Sequence, residues 1–288
     1  MAKFNASQFK SQMRSLENKM NSEIKREVRK AENQFKRDYN QAVNKMVRQY
    51  NSDVRRNRQR IQTELNKLSR TSTYSVSNQY RMSVNTLNNS YTTLNNAYNL
   101  DDEIELNNKL LNKAEEENAN NLEVANVLFN NEETDNTEYS LEENLISDKL
   151  VTISKDLDDR WKGAIFALNP SNPDATRHFC TSAREIFINI IDTKAEDETV
   201  LKKFPDCEKT DRGAVSRRAK IKYFLSEKGI LDEEIENFAH EDIENVLSLI
   251  LEMSGGTHGN AGKFSINQLK SIKKRVESGL DFLCNYII

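Results

Sequence analysis

The chain has 288 residues and sets 42 Lys and Arg against 45 Asp and Glu, a formal charge of −3. That length makes one large or two ordinary domains. Only 36% of residues are apolar and 30% are charged, with 8 Gly and 3 Pro. So few turn formers with so many charges disfavour a sandwich, a barrel or any fold of many tight turns, and favour long helices with narrow apolar stripes. Three widely spaced cysteines, Cys180, Cys207 and Cys284, form neither a disulfide framework nor the paired ligands of a zinc site. The opening residues lead into no apolar core of a secretory leader. No apolar run approaches the roughly 18 residues of a membrane span. The expectation is a cytoplasmic protein that makes no membrane contact.

The charge is uneven. Residues 1–70 hold eighteen bases and seven acids, a net of +11, whereas residues 101–160 hold eighteen acids and five bases, a net of −13. Such a split points to nucleic-acid contact by the basic arm, or to the arm pairing with the acidic segment. The plainer alternative is a long helix with solvated faces.

From Ala2 to Leu68 there is neither Pro nor Gly. Met13, Ile24, Phe35, Met46 and Leu68 share a spacing of eleven that only Asn57 interrupts, and Val28, Tyr39, Tyr50 and Ile61 form a second such column. Eleven residues in three turns is 3.67 per turn, a straight or faintly right-handed seam. A helix this long does not hold its stripe alone in water, so it needs a second copy of itself or the helices that follow.

After a hairpin turn expected near Ser69 to Ser72, the chain places Val76, Tyr80, Val84, Leu87, Tyr91, Leu94 and Tyr98 at threes and fours. Tyrosines among bases can stack on nucleobases, but at helical spacing they read as a packing seam. Leu100 to Phe129 reads as a further acidic helix. The chain thus divides into a coiled-coil-like helical arm at 1–130, an acidic linker at 131–140 and a C-terminal helical domain at 141–288. In that domain the pattern predicts helices over Leu141 to Phe166, from Pro173 with Asn172 as cap, Val215 to Lys228, Asp232 to Met253, and Ser265 to Tyr286 with Gln268 closing a capping box. Asp192 to Gly213 reads as a polar connection. The fold class is all-α: no β-pattern appears, and no phosphate-loop motif is present.

The candidate chemistry lies in polar groups within these helices. Arg177, His178, Ser182, Arg184 and Glu185 crowd one helix start, Arg217, Arg218, Lys220 and Lys222 load another, and His258 sits in the glycine-dense loop Ser254 to Gly259. His240 reads as an exposed residue at a helix junction. A metal-independent ribonuclease needs a base, an acid and cations for the phosphorane charge. Histidine suits the first two tasks and arginine the third. His178, His258, Arg184 and Glu185 are therefore the catalytic candidates, and Arg177, Arg217, Arg218 and Lys222 the nucleic-acid-binding ones. No carboxylate cluster has two-metal spacing, so neither a metal nor another cofactor is expected. Each group also has a structural reading, as an ion pair within a bundle or a closer of a turn.

Four pieces carry a resemblance: Pro173 through Glu185, Ser216-Arg217-Arg218-Ala219-Lys220-Ile221, Gly256-Thr257-His258, and Arg275-Val276-Glu277-Ser278-Gly279-Leu280-Asp281-Phe282-Leu283. Over roughly residues 145–288 the chain resembles the predicted nuclease family associated with prokaryotic PIWI-like proteins, and it is loosely similar to the HEPN-type helical ribonucleases. The resemblance implies a helical domain of bacterial antiphage systems that cleaves nucleic acid. The HEPN signature, an Arg followed four to six residues later by His, is absent from the domain. The expected function is a defence or toxin-type effector that cleaves RNA, with the arm forming a homo-oligomer or sensing a partner defence protein. The alternative is a non-enzymatic coiled-coil scaffold that binds a protein or nucleic acid.

Overall fold

The computed structural model describes residues 6–69, 78–98, 105–130, 146–169, 171–255 and 264–287. Among them the fold is all-α, with ten α-helices, a closing π turn and one isolated antiparallel bridge between Lys209 and Val215. Internal contacts divide the chain into two units, residues 1–55 and 56–288.

The first unit is helical within α1 (Ala6–Leu68). Its apolar columns face solvent: Met13, Ile24, Val28, Phe35, Tyr39 and Met46 are all exposed. The seam read from the 11-residue spacing is present and uncovered.

The second unit contains the end of α1 followed by α2 (Asn78–Tyr98), α3 (Glu105–Asn130), α4 (Ser147–Ile153), α5 (Lys155–Ala167), α6 (Ala175–Lys194), α7 (Asp197–Lys203), α8 (Arg217–Glu227), α9 (Glu233–Gly255), α10 (Ile266–Phe282) and the π turn Leu283–Ile287. Helix α9 is central, with α2, α6 and α8 packed on it; α3 lies on α10, and α5 pairs with α6. One hydrophobic core runs from Ile61 to Leu283. Trp161 against Phe179 (5.7 Å between ring centroids) ties α5 to α6, and Phe238 against Phe282 (6.0 Å) ties α9 to α10. Truncating one of these buried rings to Ala costs about 3–5 kcal/mol. Gly279 permits the closest approach: a Cβ there would lie 2.7 Å from Val246 and 3.4 Å from Phe187.

The tyrosine column of α2 is a seam, with Tyr80, Val84, Leu87, Tyr91 and Leu94 buried. The linker expected at 131–140 and the hairpin at residues 70–72 lie outside the described residues. Helices α2 and α3, read from sequence as part of the arm, pack on α9 and α10.

Four local expectations are corrected. Ser154 adopts extended backbone and splits the stripe of 141–166 into α4 and α5, its side chain accepting from the Asp156 amide. Asp174, not Asn172, is the N-cap of α6, which opens at Ala175; Asn172 instead accepts from the Asp174 amide. The polar connection after α6 contains α7, whose Val200 is buried. His240 lies inside α9 and is half-buried rather than at an exposed junction. Ser265 and Gln268 do form the expected capping box of α10, but α10 itself ends at Phe282.

Candidate functional site

The candidate residues fall in two separate places. Helices α5 and α6 are antiparallel partners joined by a tight turn, and α6 presents Arg177, His178, Arg184 and Glu185 on its exposed side. The turn is built by asparagines: Asn169 accepts from the Ser171 amide, and Asn172 donates to the Ala167 carbonyl (2.7 Å). The same Asn172 amide nitrogen lies 3.4 Å from His178 Nδ1, while His178 Nε2 stands 3.6 Å from the Asp174 carboxylate. Asp174 also pairs with Arg177. His178 keeps 56% of its side chain exposed, so the group is open to a polymer.

Glu185 pairs with Arg160 of α5 at 2.6 Å, and Arg160 also holds Asp156. Arg184 is exposed beside it. At the turn end of α5, Phe166 is 81% exposed. Arg160 facing Glu185, and Trp161 facing Phe179, place Phe166 level with the first turns of α6.

The second place is the α8–α9 seam. Ser216 caps α8 through the Ala219 amide. Arg217 pairs with Glu244, Arg218 with Asn237 and Glu236, and Lys222 with Glu236 at 3.4 Å. Arg218, Lys222 and Glu236 line both of two adjoining clefts of about 630 and 530 Å³, with Lys203, Phe204 and Glu208 on one side and Leu225, Leu231 and Glu233 on the other. The acids there match the bases, so the clefts carry little net charge. Along α6 the fourteen steps from His178 to Asp192 span roughly 21 Å, and Asp192 is where α8 touches α6 through Lys220 (2.8 Å). The α6 start and the α8 bases therefore do not converge. His258 lies outside the described residues.

A third cluster went unread in the sequence. Arg275 of α10 is fully buried and donates from Nη1 to Glu117 of α3 (2.7 Å) and from Nη2 to Asp242 (2.6 Å) and Asn245 (3.1 Å) of α9. Ser278 donates to the other Glu117 oxygen, and Lys113 approaches Glu117 at 3.1 Å and Asp281 at 3.4 Å. Burial pushes the Asp242 carboxyl up to about 7, against the opposing pull of Arg275. Burial works against the charge of Arg275 too, but Asp242 and Glu117 outweigh it and hold its proton firmly. The one sequence signal was the piece beginning Arg275-Val276-Glu277, where charges occupy positions that the helical stripe would give to apolar groups.

Among the described residues no group of three or more His, Cys, Asp and Glu is placed to hold a metal ion, and no helix is long and apolar enough to cross a membrane. No curated protein and no solved structure matches the chain. Residues 150–283, from within α4 to the start of the π turn, match the model of a family described as predicted pPIWI-associating nuclease, and both solvent-reachable candidate sites lie inside that match.

Proposed function

We propose that this protein is a nuclease effector of an intracellular defence system that cleaves RNA at the α5–α6 junction. The observation that carries the reading is the family match over residues 150–283, and the open cluster of Asp174, Arg177 and His178 inside it supplies usable chemistry. In RNA cleavage without a metal, the 2′-hydroxyl attacks the neighbouring phosphorus and the 5′-oxygen leaves. His178, held loosely through Asn172 and Asp174, carries one of the two proton transfers. His258 is assigned the other. Arg184 and Arg177 meet the phosphate, with Arg177 released from Asp174 as substrate binds. Phe166 offers a ring face on which an unpaired base can stack. Arg217, Arg218 and Lys222, whose charges α9 already answers, make no contact with the reacting phosphate in this reading.

Residues 6–55 act as an assembly element, their uncovered stripe closing against a second copy of α1. A scaffold without enzymatic activity is the second reading. It is favoured by that same stripe and by the ion pairs that occupy the α8 bases.

The test incubates full-length protein with RNA in EDTA, beside His178→Ala, His258→Ala and Arg184→Ala. His178→Ala is expected to lower kcat roughly 10²–10⁴-fold, and Arg184→Ala to act chiefly on KM. Undiminished cleavage by His178→Ala removes its assigned role. A wild-type protein that leaves RNA intact, and is harmless when expressed, establishes the scaffold instead.

A further inference from the structure

We infer that the end of α1 is coupled to the α9–α10 seam by a continuous chain of hydrogen bonds, so that a load placed on α1 acts directly on the segment matched to the nuclease family. The inference rests on the reading above for its consequence in catalysis, but its physical content does not. The chain starts at Arg60, whose Nη2 donates to Asn120 (3.0 Å) and to Glu123 (2.7 Å) of α3. Asn120 donates to Ser278 of α10 at 3.0 Å, Ser278 donates to Glu117, and Glu117 receives Arg275 at 2.7 Å. Arg275 then reaches Asp242 and Asn245 of α9, and Asn245 donates to Ser83 of α2 at 3.2 Å. A second branch is shorter: Glu123 is shared between Arg60 and Lys274, the neighbour of Arg275.

Two features make this more than proximity. First, the contact made by the end of α1 is largely polar. Arg58 pairs with Glu115 at 2.8 Å, and Asn126 donates to the Glu64 side chain at 2.6 Å. Ile61 is the one buried apolar side chain that this stretch adds, with Leu65 and Leu68 partly buried. Such a contact can separate without opening a large apolar surface to water. Second, the inner half of the chain cannot readjust cheaply. Glu117, Asp242, Asn245 and Arg275 are inaccessible to solvent, so loss of one partner leaves a buried charge uncompensated. A separable outer end joined to an unforgiving inner end is the kind of connection through which a load on α1 would reach α9 and α10. The chain also begins outside the family match and passes into it: residues 60, 83, 117, 120 and 123 lie before residue 150, and residues 242, 245, 275 and 278 lie within the match. Arg60 and the uncovered stripe share one helix.

The experiment is amide hydrogen–deuterium exchange on the full chain, comparing wild type with Arg60→Ala, Ser278→Ala and the double variant, alongside denaturant unfolding. The expected result is that Arg60→Ala raises exchange in residues 242–246 and 271–279 while leaving the middle of α6 unchanged. The folding equilibrium constants of the single and double variants should depart from additivity by roughly threefold or more. Arg60→Lys, which keeps the charge facing Glu123 but not the fork, should fall between. Faster exchange confined to α1 and α3, or additive variants, overturns the coupling. An RNA assay run in parallel separates the two claims. Wild-type protein inert on RNA removes the nuclease reading while the exchange pattern still decides the coupling; cleavage that Arg60→Ala leaves untouched, with exchange unchanged at α9, removes the coupling alone.

Discussion

Residues 6–55 and residues 56–288 treat the same sequence rule in opposite ways. In the first unit Met13, Ile24, Phe35 and Met46 repeat at eleven and stay exposed; the column then reaches Asn57, which is buried, and Leu68, which packs on the core. Its neighbour column behaves likewise, with Val28 and Tyr39 exposed and Ile61 buried. A periodic stripe therefore reports which face of a helix wants cover and leaves open what covers it. The second unit covers its apolar stripes and, beside that hydrophobic core, also encloses Glu117, Asp242, Lys273 and Arg275 within its helices.

The sharpest way to break the contrast is to remove a charge from each unit. Arg275→Met fills the space but strands Glu117 and Asp242 as buried carboxylates, and is expected to cost about 3–5 kcal/mol. An exposed base of the first unit, such as Arg37→Ala, should stay within about 0.5 kcal/mol. Denaturant unfolding measures both. Equal small effects would mean that the interior charges are far wetter than their burial implies.

Next in size is the uncovered stripe. Phe35→Asp together with Met46→Asp should weaken self-association by roughly a hundredfold, equivalent to about 2.7 kcal/mol, and leave the fold of residues 56–288 intact. Sedimentation across a concentration series reads the first effect and thermal melting the second. A wild-type chain that stays monomeric throughout would assign the stripe to another partner.

These two regions also explain what could be read in advance. The all-α class, the tyrosine seam of α2 and the Ser265–Gln268 capping box followed from period and local hydrogen-bond chemistry, which act over one or two turns. The break at Ser154 did not, because the apolar stripe continues across it from Leu150 to Leu157 and only the backbone turns aside. The interior network was illegible for a different reason. Glu117 and Asp242 look like ordinary surface charges in a row of helix formers, and Arg275, though set in the apolar stripe of α10, takes its meaning only where α3, α9 and α10 meet. Of the candidate site, His178 and Arg177 were found from residue type, while their link to Asp174 and Asn172 depends on a turn whose cap lies two residues from where spacing placed it.

A third test uses pH. Asp242 faces Arg275 of α10, Glu117 and Lys113 of α3, and Tyr80 of α2 lies near Arg275. Its carboxyl stands at about 7 in the fold against an ordinary value of 3.8, so the folded state keeps a proton that the unfolded chain gives up. The stability carried by that proton is complete below the ordinary value and is lost as pH rises through about 7. Asp242→Asn should therefore flatten the fall in melting temperature between pH 5 and 8, an effect on the order of a few degrees for a unit of this size. Parallel pH profiles for the two proteins would show that another group carries the dependence.

The smallest expected effect lies beside the candidate site. Gly163 occupies the interior of α5, where a Cβ would meet nothing within 4 Å. Neither crowding nor a left-handed backbone accounts for a glycine there, and in an exposed helix it costs about 0.5–1 kcal/mol relative to alanine. Gly163→Ala should raise stability by that amount. If the residue only spaces the helix, RNA cleavage will be unchanged. If a strand crosses α5 between Arg160 and Phe166, the added methyl group will raise KM while stability improves, and that opposite movement of the two readouts would place substrate on the α5–α6 surface rather than at the α8 clefts.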